Sequence, residues 1–96
     1  MRAVAATLLA LALIAPTQAA GLTVAATPES VAWSGAAGAC VYWVDPTGAR
    51  YRLGCAHESP FTVEDGLLYP GDVVEVRAPR PDGRGRLTGR AAVEAP

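Results

Sequence analysis

The chain has 96 residues, 51% of them hydrophobic, with eight arginines, no lysine, nine acidic residues and one histidine, for a formal net charge of −1. That length allows one small domain and excludes a large enzyme fold, and the charge excludes a simple cationic nucleic-acid binder. The apolar residues are unevenly spread. Fourteen lie in residues 1–19; of the 35 that follow, only 20 are large (nine Val, five Leu, three Tyr, two Trp and one Phe). A core that thin sits near the lower limit for independent folding.

Arg2 supplies a positive start, and Ala3 to Ala15 is a charge-free run carrying Leu8, Leu9, Leu11, Leu13 and Ile14. Pro16 ends the run, and Thr17-Gln18-Ala19 places small residues at −3 and −1 of a cut after Ala19. This is the three-part plan of a secretory signal peptide. Residues 1–19 are therefore predicted as a cleaved leader and residues 20–96 as the mature domain. An anchor needs roughly 20 apolar residues, so no stable membrane span is expected once the leader is removed. The expected address is secreted or extracytoplasmic, in a periplasm or at the cell surface.

Every later segment reads as a short strand. Leu22–Ala25 is apolar and stops at Pro28. Val31-Ala32-Trp33 alternates large and small before the Ser34–Gly38 loop. Cys40–Val44 is dense in β-branched and aromatic residues. Asp45-Pro46-Thr47-Gly48 follows, with Pro presetting φ for a type I turn and Gly48 able to take the left-handed position after it. Tyr51-Arg52-Leu53 alternates back toward Cys55, which makes a hairpin. Pairing Cys40 with Cys55 sets Trp43 opposite Arg52. A tight turn sets Asp45 opposite Ala49, one residue off, so a bulge or a looser four-residue loop has to absorb the difference.

Cys40 and Cys55 are the only cysteines. One His57 beside them is too few ligands for zinc, and no C-x-x-C spacing is present. An exported chain meets an oxidising compartment, so a structural disulfide is predicted, with no metal site and no cofactor. Further on, Phe61-Thr62-Val63 alternates, Glu64-Asp65-Gly66 turns, and Leu67-Leu68-Tyr69-Pro70-Gly71 ends sharply. Val73–Ala78 is the strongest strand, with Val74, Val76 and Ala78 on one face. Pro79–Gly85 is an exposed turn, and residues 86–93 form a last strand weakened by Gly89. About seven short strands predict an all-β fold, a small antiparallel β-sandwich.

The order of these landmarks resembles a fibronectin type III domain or a near immunoglobulin-like relative. Trp33 is similar to that family's core Trp on the second strand, and Tyr42 and Trp43 to the aromatics of its third. The most specific stretch is Phe61-Thr62-Val63, then Leu68-Tyr69-Pro70-Gly71 and Val74-Glu75-Val76-Arg77-Ala78. It resembles the family's Leu-x-Pro-Gly turn and the strand ending Val-x-Ala; the family's corner Tyr is Val74 here. The resemblance implies a scaffold whose loop before the last strand carries binding residues: Arg80 and Arg84, with Arg86 beyond.

No catalytic constellation accompanies this scaffold. His57 adjoins Glu58 but lacks a nucleophile and an orienting partner, and Glu64 and Asp65 read as turn formers. Arg77, Arg80, Arg84, Arg86 and Arg90 crowd the C-terminal region; Arg86 and Arg90 share strand parity and form a basic stripe with Arg84, or a solvated edge that deters pairing. Adjacent strand residues face opposite sides, so Tyr42 and Trp43 cannot both be core. Trp43 with Tyr51 then offers an aromatic platform, or lies under Arg50 or Arg52.

The expected function is an exported, non-catalytic binding module, an accessory or structural subunit at the cell surface or in the envelope. Its expected partner is a protein or an anionic polysaccharide, not a nucleic acid, with Trp43, Tyr51, Arg80, Arg84 and Arg86 as binding residues. The alternative is a secreted inhibitor presenting the Pro79–Gly85 loop or the Asp45–Arg50 turn to a protease or glycosidase. Closing the Cys40–Cys55 loop should contribute about 3 kcal/mol. Reduction, or Cys40→Ala, is expected to lower the melting temperature by about 10 °C or more, at roughly 4–8 °C per kcal/mol. An unchanged melting curve under reductant would contradict a structural bridge.

Overall fold

The computed structural model describes residues 21–96; the leader predicted at residues 1–19 lies outside them. Seven short strands form: β1 (Thr23–Ala26), β2 (Ser30–Ser34), β3 (Ala39–Val44), β4 (Arg50–Ala56), β5 (Phe61–Thr62), β6 (Val73–Pro79) and β7 (Arg86–Ala92). They assemble into two antiparallel sheets, ordered β1-β2-β5 and β4-β3-β6-β7. The all-β sandwich read from the sequence is what forms.

The alternation of β6 shows why the sheets stack. Val74, Val76 and Ala78 are at most 1% exposed. Val76 lies opposite Val41 of β3, and Ala78 opposite Leu87 of β7. Val31 and Trp33 of β2 and Ala26 of β1 bring the inner residues of the second sheet to the same cluster, and Val63, Leu68 and Val93 fill in from the connections. With period-two side chains, each strand buries one face and leaves the other to solvent.

Trp33 is held at three points. Its ring is buried. The indole N–H donates to the Ala37 carbonyl at 3.1 Å, and the backbone N–H donates to Ser59 Oγ at 2.9 Å. β5 is only two residues long and pairs with Ser30 and Val31. At Trp33 the ladder has run out, and the Ser59 hydroxyl accepts the bond that a longer β5 would have taken.

The two sheets are tied along one edge. Leu22 N–H donates to the Thr88 carbonyl of β7 at 3.0 Å, and Ala26 forms a parallel bridge with Val93. Gly89 makes this closure possible. A Cβ there would strike the Leu22 carbonyl and sit 2.8 Å from Val24 Cγ2. The residue that weakens β7 by propensity is thus the one that admits β1. Gly89→Ala is expected to destabilise by about 2 kcal/mol through overpacking, read as a lower urea midpoint with an unchanged slope. A variant as stable as the parent would refute the close approach.

Candidate functional site

The β3–β4 hairpin decides which side chains share a face. Cys40 and Cys55 are direct partners with Cα atoms 3.9 Å apart, and they form the disulfide. At the other end the turn is tight: Asp45 N–H donates to Ala49 O at 3.0 Å, and Gly48 has φ +92°. Of the two ways to reconcile these ends, the chain uses the bulge. The register shifts between Val41 and Tyr42, with Val41 opposite Gly54 and Tyr42 opposite Arg52. Leu53 is the extra residue and packs toward the core. Trp43 therefore lies opposite Tyr51 rather than Arg52.

The bulge has a chemical result. Positions 52 and 55 differ by an odd number, so in a regular strand they would point to opposite faces. One extra residue puts Arg50, Arg52 and Cys55 together on the outer face of the four-stranded sheet. Tyr42 takes the outer face with them. Trp43 turns inward, half-buried against the core edge, and stacks on Tyr51 with ring centroids 5.4 Å apart and planes inclined by 30°. Tyr51, about half exposed, covers Trp43 in the position considered for Arg50 or Arg52.

On β6 the outward residue Glu75 breaks the rule that charges stay wet, being only 3% exposed. Three guanidiniums cover it. Arg50 Nε donates to Oε2 at 2.9 Å and Arg90 Nε donates to Oε1 at 2.7 Å. Arg77 Nε lies 3.3 Å from Oε2 as an ion pair, buried and outside hydrogen-bond geometry. The guanidiniums cover the carboxylate while the arginine side chains remain partly exposed. The side chains of Arg50 and Arg90 are 43% and 52% exposed.

Glu75 is the only acidic residue in any of the seven strands, and the other eight acids lie outside them. Five of the seven arginines after residue 20 lie in strands, all in the four-stranded sheet. Register places Arg52, Tyr42, Glu75 and Arg90 in one transverse row, with Arg77 and Arg86 further along. No charged residue occurs in β1, β2 or β5. Sequence reasoning found Arg86 and Arg90 on a common face but missed that Arg50, Arg52 and Arg77 join them, and that Glu75 organises three of the five. The alternation of Arg50 with Arg52 and of Glu75 with Arg77 is the signal that could have found it.

The remaining candidates fall elsewhere. Arg80 and Arg84 lie on the tip of the β6–β7 hairpin, where Arg80 N–H donates to Gly85 O and Arg84 N–H to Asp82 Oδ1. His57 is exposed and lines a groove together with the disulfide, Arg77 and Pro79. Among the described residues, no group of three or more His, Cys, Asp or Glu is placed to hold a metal ion.

Arrangement and chemistry together define a small disulfide-bonded β-sandwich with one arginine-rich sheet face. Comparison of the chain with protein-family models, with curated proteins and with solved structures found no match.

The turn next to this face is also preorganised. Asp45 Oδ1 accepts from the Thr47 hydroxyl at 2.6 Å and from the Thr47 and Ala49 amides at 2.9 Å each. The Thr47 hydroxyl bond foremost, with the amides and Tyr51, holds the Asp45 carboxyl below the ordinary carboxylate range. A depressed folded pKa stabilises the fold above the unfolded value and loses that contribution as pH falls toward the folded one. In melts between about pH 6 and pH 2, the difference between the parent and Asp45→Asn is expected to be largest at the upper end and to shrink on acidification. A constant difference would show that the charge of Asp45 does not hold the turn.

Proposed function

We propose that the chain is an exported, non-catalytic binding module that engages an anionic partner through the outer face of its four-stranded sheet. The observation that carries this reading is the gathering of five arginines on one face around the single acidic residue found in the strands. Three guanidiniums on one carboxylate leave an excess of two positive charges, held in place before any ligand arrives.

Export is supported by the leader pattern of residues 1–19 and by the disulfide, since such bridges persist in oxidising compartments. Among the described residues no helix is long and apolar enough to cross a membrane. The two antiparallel sheets, β1-β2-β5 and β4-β3-β6-β7, make a β-sandwich scaffold. Such a scaffold is consistent with binding rather than reaction, although fold alone does not assign a function.

The test is retention of the labelled, purified protein on intact cells or envelope fragments of the producing organism. Saturable retention is expected, released by salt and reduced by Arg50→Gln/Arg90→Gln. Retention that the double variant leaves intact would remove this face from the function. A second reading, inhibition of a hydrolase, draws on the rigid Asp45 turn, because a preordered loop enters a cleft at low entropic cost. It requires dose-dependent loss of protease or glycosidase activity on adding the purified domain.

A further inference from the structure

We infer that the anionic partner of this face is a linear polysaccharide bearing carboxylate or sulfate groups, and that Glu75 is the positioning residue that orders the arginines to receive it. This inference rests on the binding-face reading above. Its first support is the shape of the charge. The guanidiniums of Arg50, Arg77 and Arg90 meet at Glu75, and Arg52 stands in the same transverse row. With strands about 4.8 Å apart and a rise of about 3.4 Å per residue, the backbone of Arg86 lies about 14 Å from that of Glu75, further along the sheet. The cations are a cluster with a further charge beyond it along the strands, which gives an extended chain with repeating charges more than one point of contact.

A second support is what the face lacks. A protein partner needs an apolar anchor at the centre of its footprint. Among the described residues, the exposed large apolar side chains are Tyr51, Leu67 and Tyr69. Tyr51 shares the inner parity of Trp43, and Leu67 and Tyr69 lie in the connection before β6, so none occupies an outward strand position of the sheet. Membrane-surface binding is likewise strengthened by apolar residues that enter the lipid. Single-stranded nucleic acid requires several stacking rings, and the outward positions of the sheet carry one aromatic, Tyr42. One half-buried ring between Arg52 and Glu75 suits the apolar face of a sugar flanked by bidentate guanidinium–oxyanion contacts.

Glu75 separates an ordered array from mere positive charge. It engages Nε of Arg50 and Arg90, fixing the planes of those guanidiniums. If only net charge mattered, neutralising Glu75 would strengthen binding. If the order of the array matters, neutralising it weakens binding while the face becomes more positive.

The experiment measures binding of the purified, oxidised protein to polygalacturonate and dextran sulfate. Poly-L-glutamate, phosphatidylglycerol vesicles and duplex DNA are titrated at the same charge concentration and ionic strength. Both polysaccharides are expected to bind more tightly than the other three. Arg50→Gln/Arg90→Gln is expected to weaken polysaccharide binding at least about tenfold, the scale of one or two lost charge-assisted contacts. Arg84→Gln, on the hairpin tip, is expected to change it less than about twofold. Glu75→Gln, checked for a native circular dichroism spectrum, is expected to weaken it as well. Stronger binding by Glu75→Gln, or an equal loss in Arg84→Gln, would overturn the ordered array. Equal or tighter binding of polyglutamate, vesicles or DNA through the same arginines would overturn the polysaccharide and leave the anionic face standing. No polyanion binding, together with cell retention insensitive to the double variant, would remove both.

Discussion

The β3–β4 pair is pinned at two ends that disagree by one residue. The disulfide fixes Cys40 opposite Cys55, and the Asp45 turn fixes the register at the other end. A side-chain period of two makes such a disagreement costly, because a slip by one exchanges the faces of every residue beyond it. The bulge at Leu53 resolves it locally. Everything distinctive about the outer face follows: Arg50 and Arg52 join the sheet surface that also holds Tyr42, Glu75 and the disulfide, while Trp43 and Tyr51 turn inward as a stacked pair.

Glu75 then fixes the electrostatics of that face. A carboxylate at 3% exposure is unfavourable without compensation, and it is compensated from three strands at once: β4 gives Arg50, β6 gives Arg77 and β7 gives Arg90. Each arginine is part-exposed, so no single pair contributes much by itself. The network matters more than its members, because removing any one leaves the same buried charge with fewer partners. The arginines are thereby held at fixed positions by a partner they share.

Much of the fold was legible, and the reasons are local. The alternation of Val74, Val76 and Ala78 marks a half-buried strand, and all three are core. Asp45-Pro46-Thr47-Gly48 specifies a tight turn with one left-handed residue, and Gly48 takes that conformation. The candidate site was less legible because it is non-local. Glu75 occupies an outward position, where a charge is ordinarily solvated, and its burial depends on arginines 25 and 15 residues away. Arg50 and Arg52 could not be assigned a face until the register shift was located. Gly89 read as a weakness in β7 because the carbonyl that fills its missing side-chain space belongs to Leu22, far back in sequence.

The separation of arginines from acids also acts at a distance. After residue 20, seven arginines face nine acids, so the net charge is small, yet five of the seven lie on one sheet face and eight of the nine acids lie outside the strands. The positive charge is thus concentrated on one sheet face of a domain whose net charge is slightly negative. A polyanion at a distance meets a small net negative charge and is weakly repelled by it, whereas close to the surface the arginine face is the part it attracts, so the domain is turned with that face forward before contact. That orientation operates within roughly a Debye length, about 10 Å at 0.1 M salt. Charge segregation therefore works on the fraction of encounters that arrive correctly oriented, and so on the association rate, before any guanidinium touches a ligand.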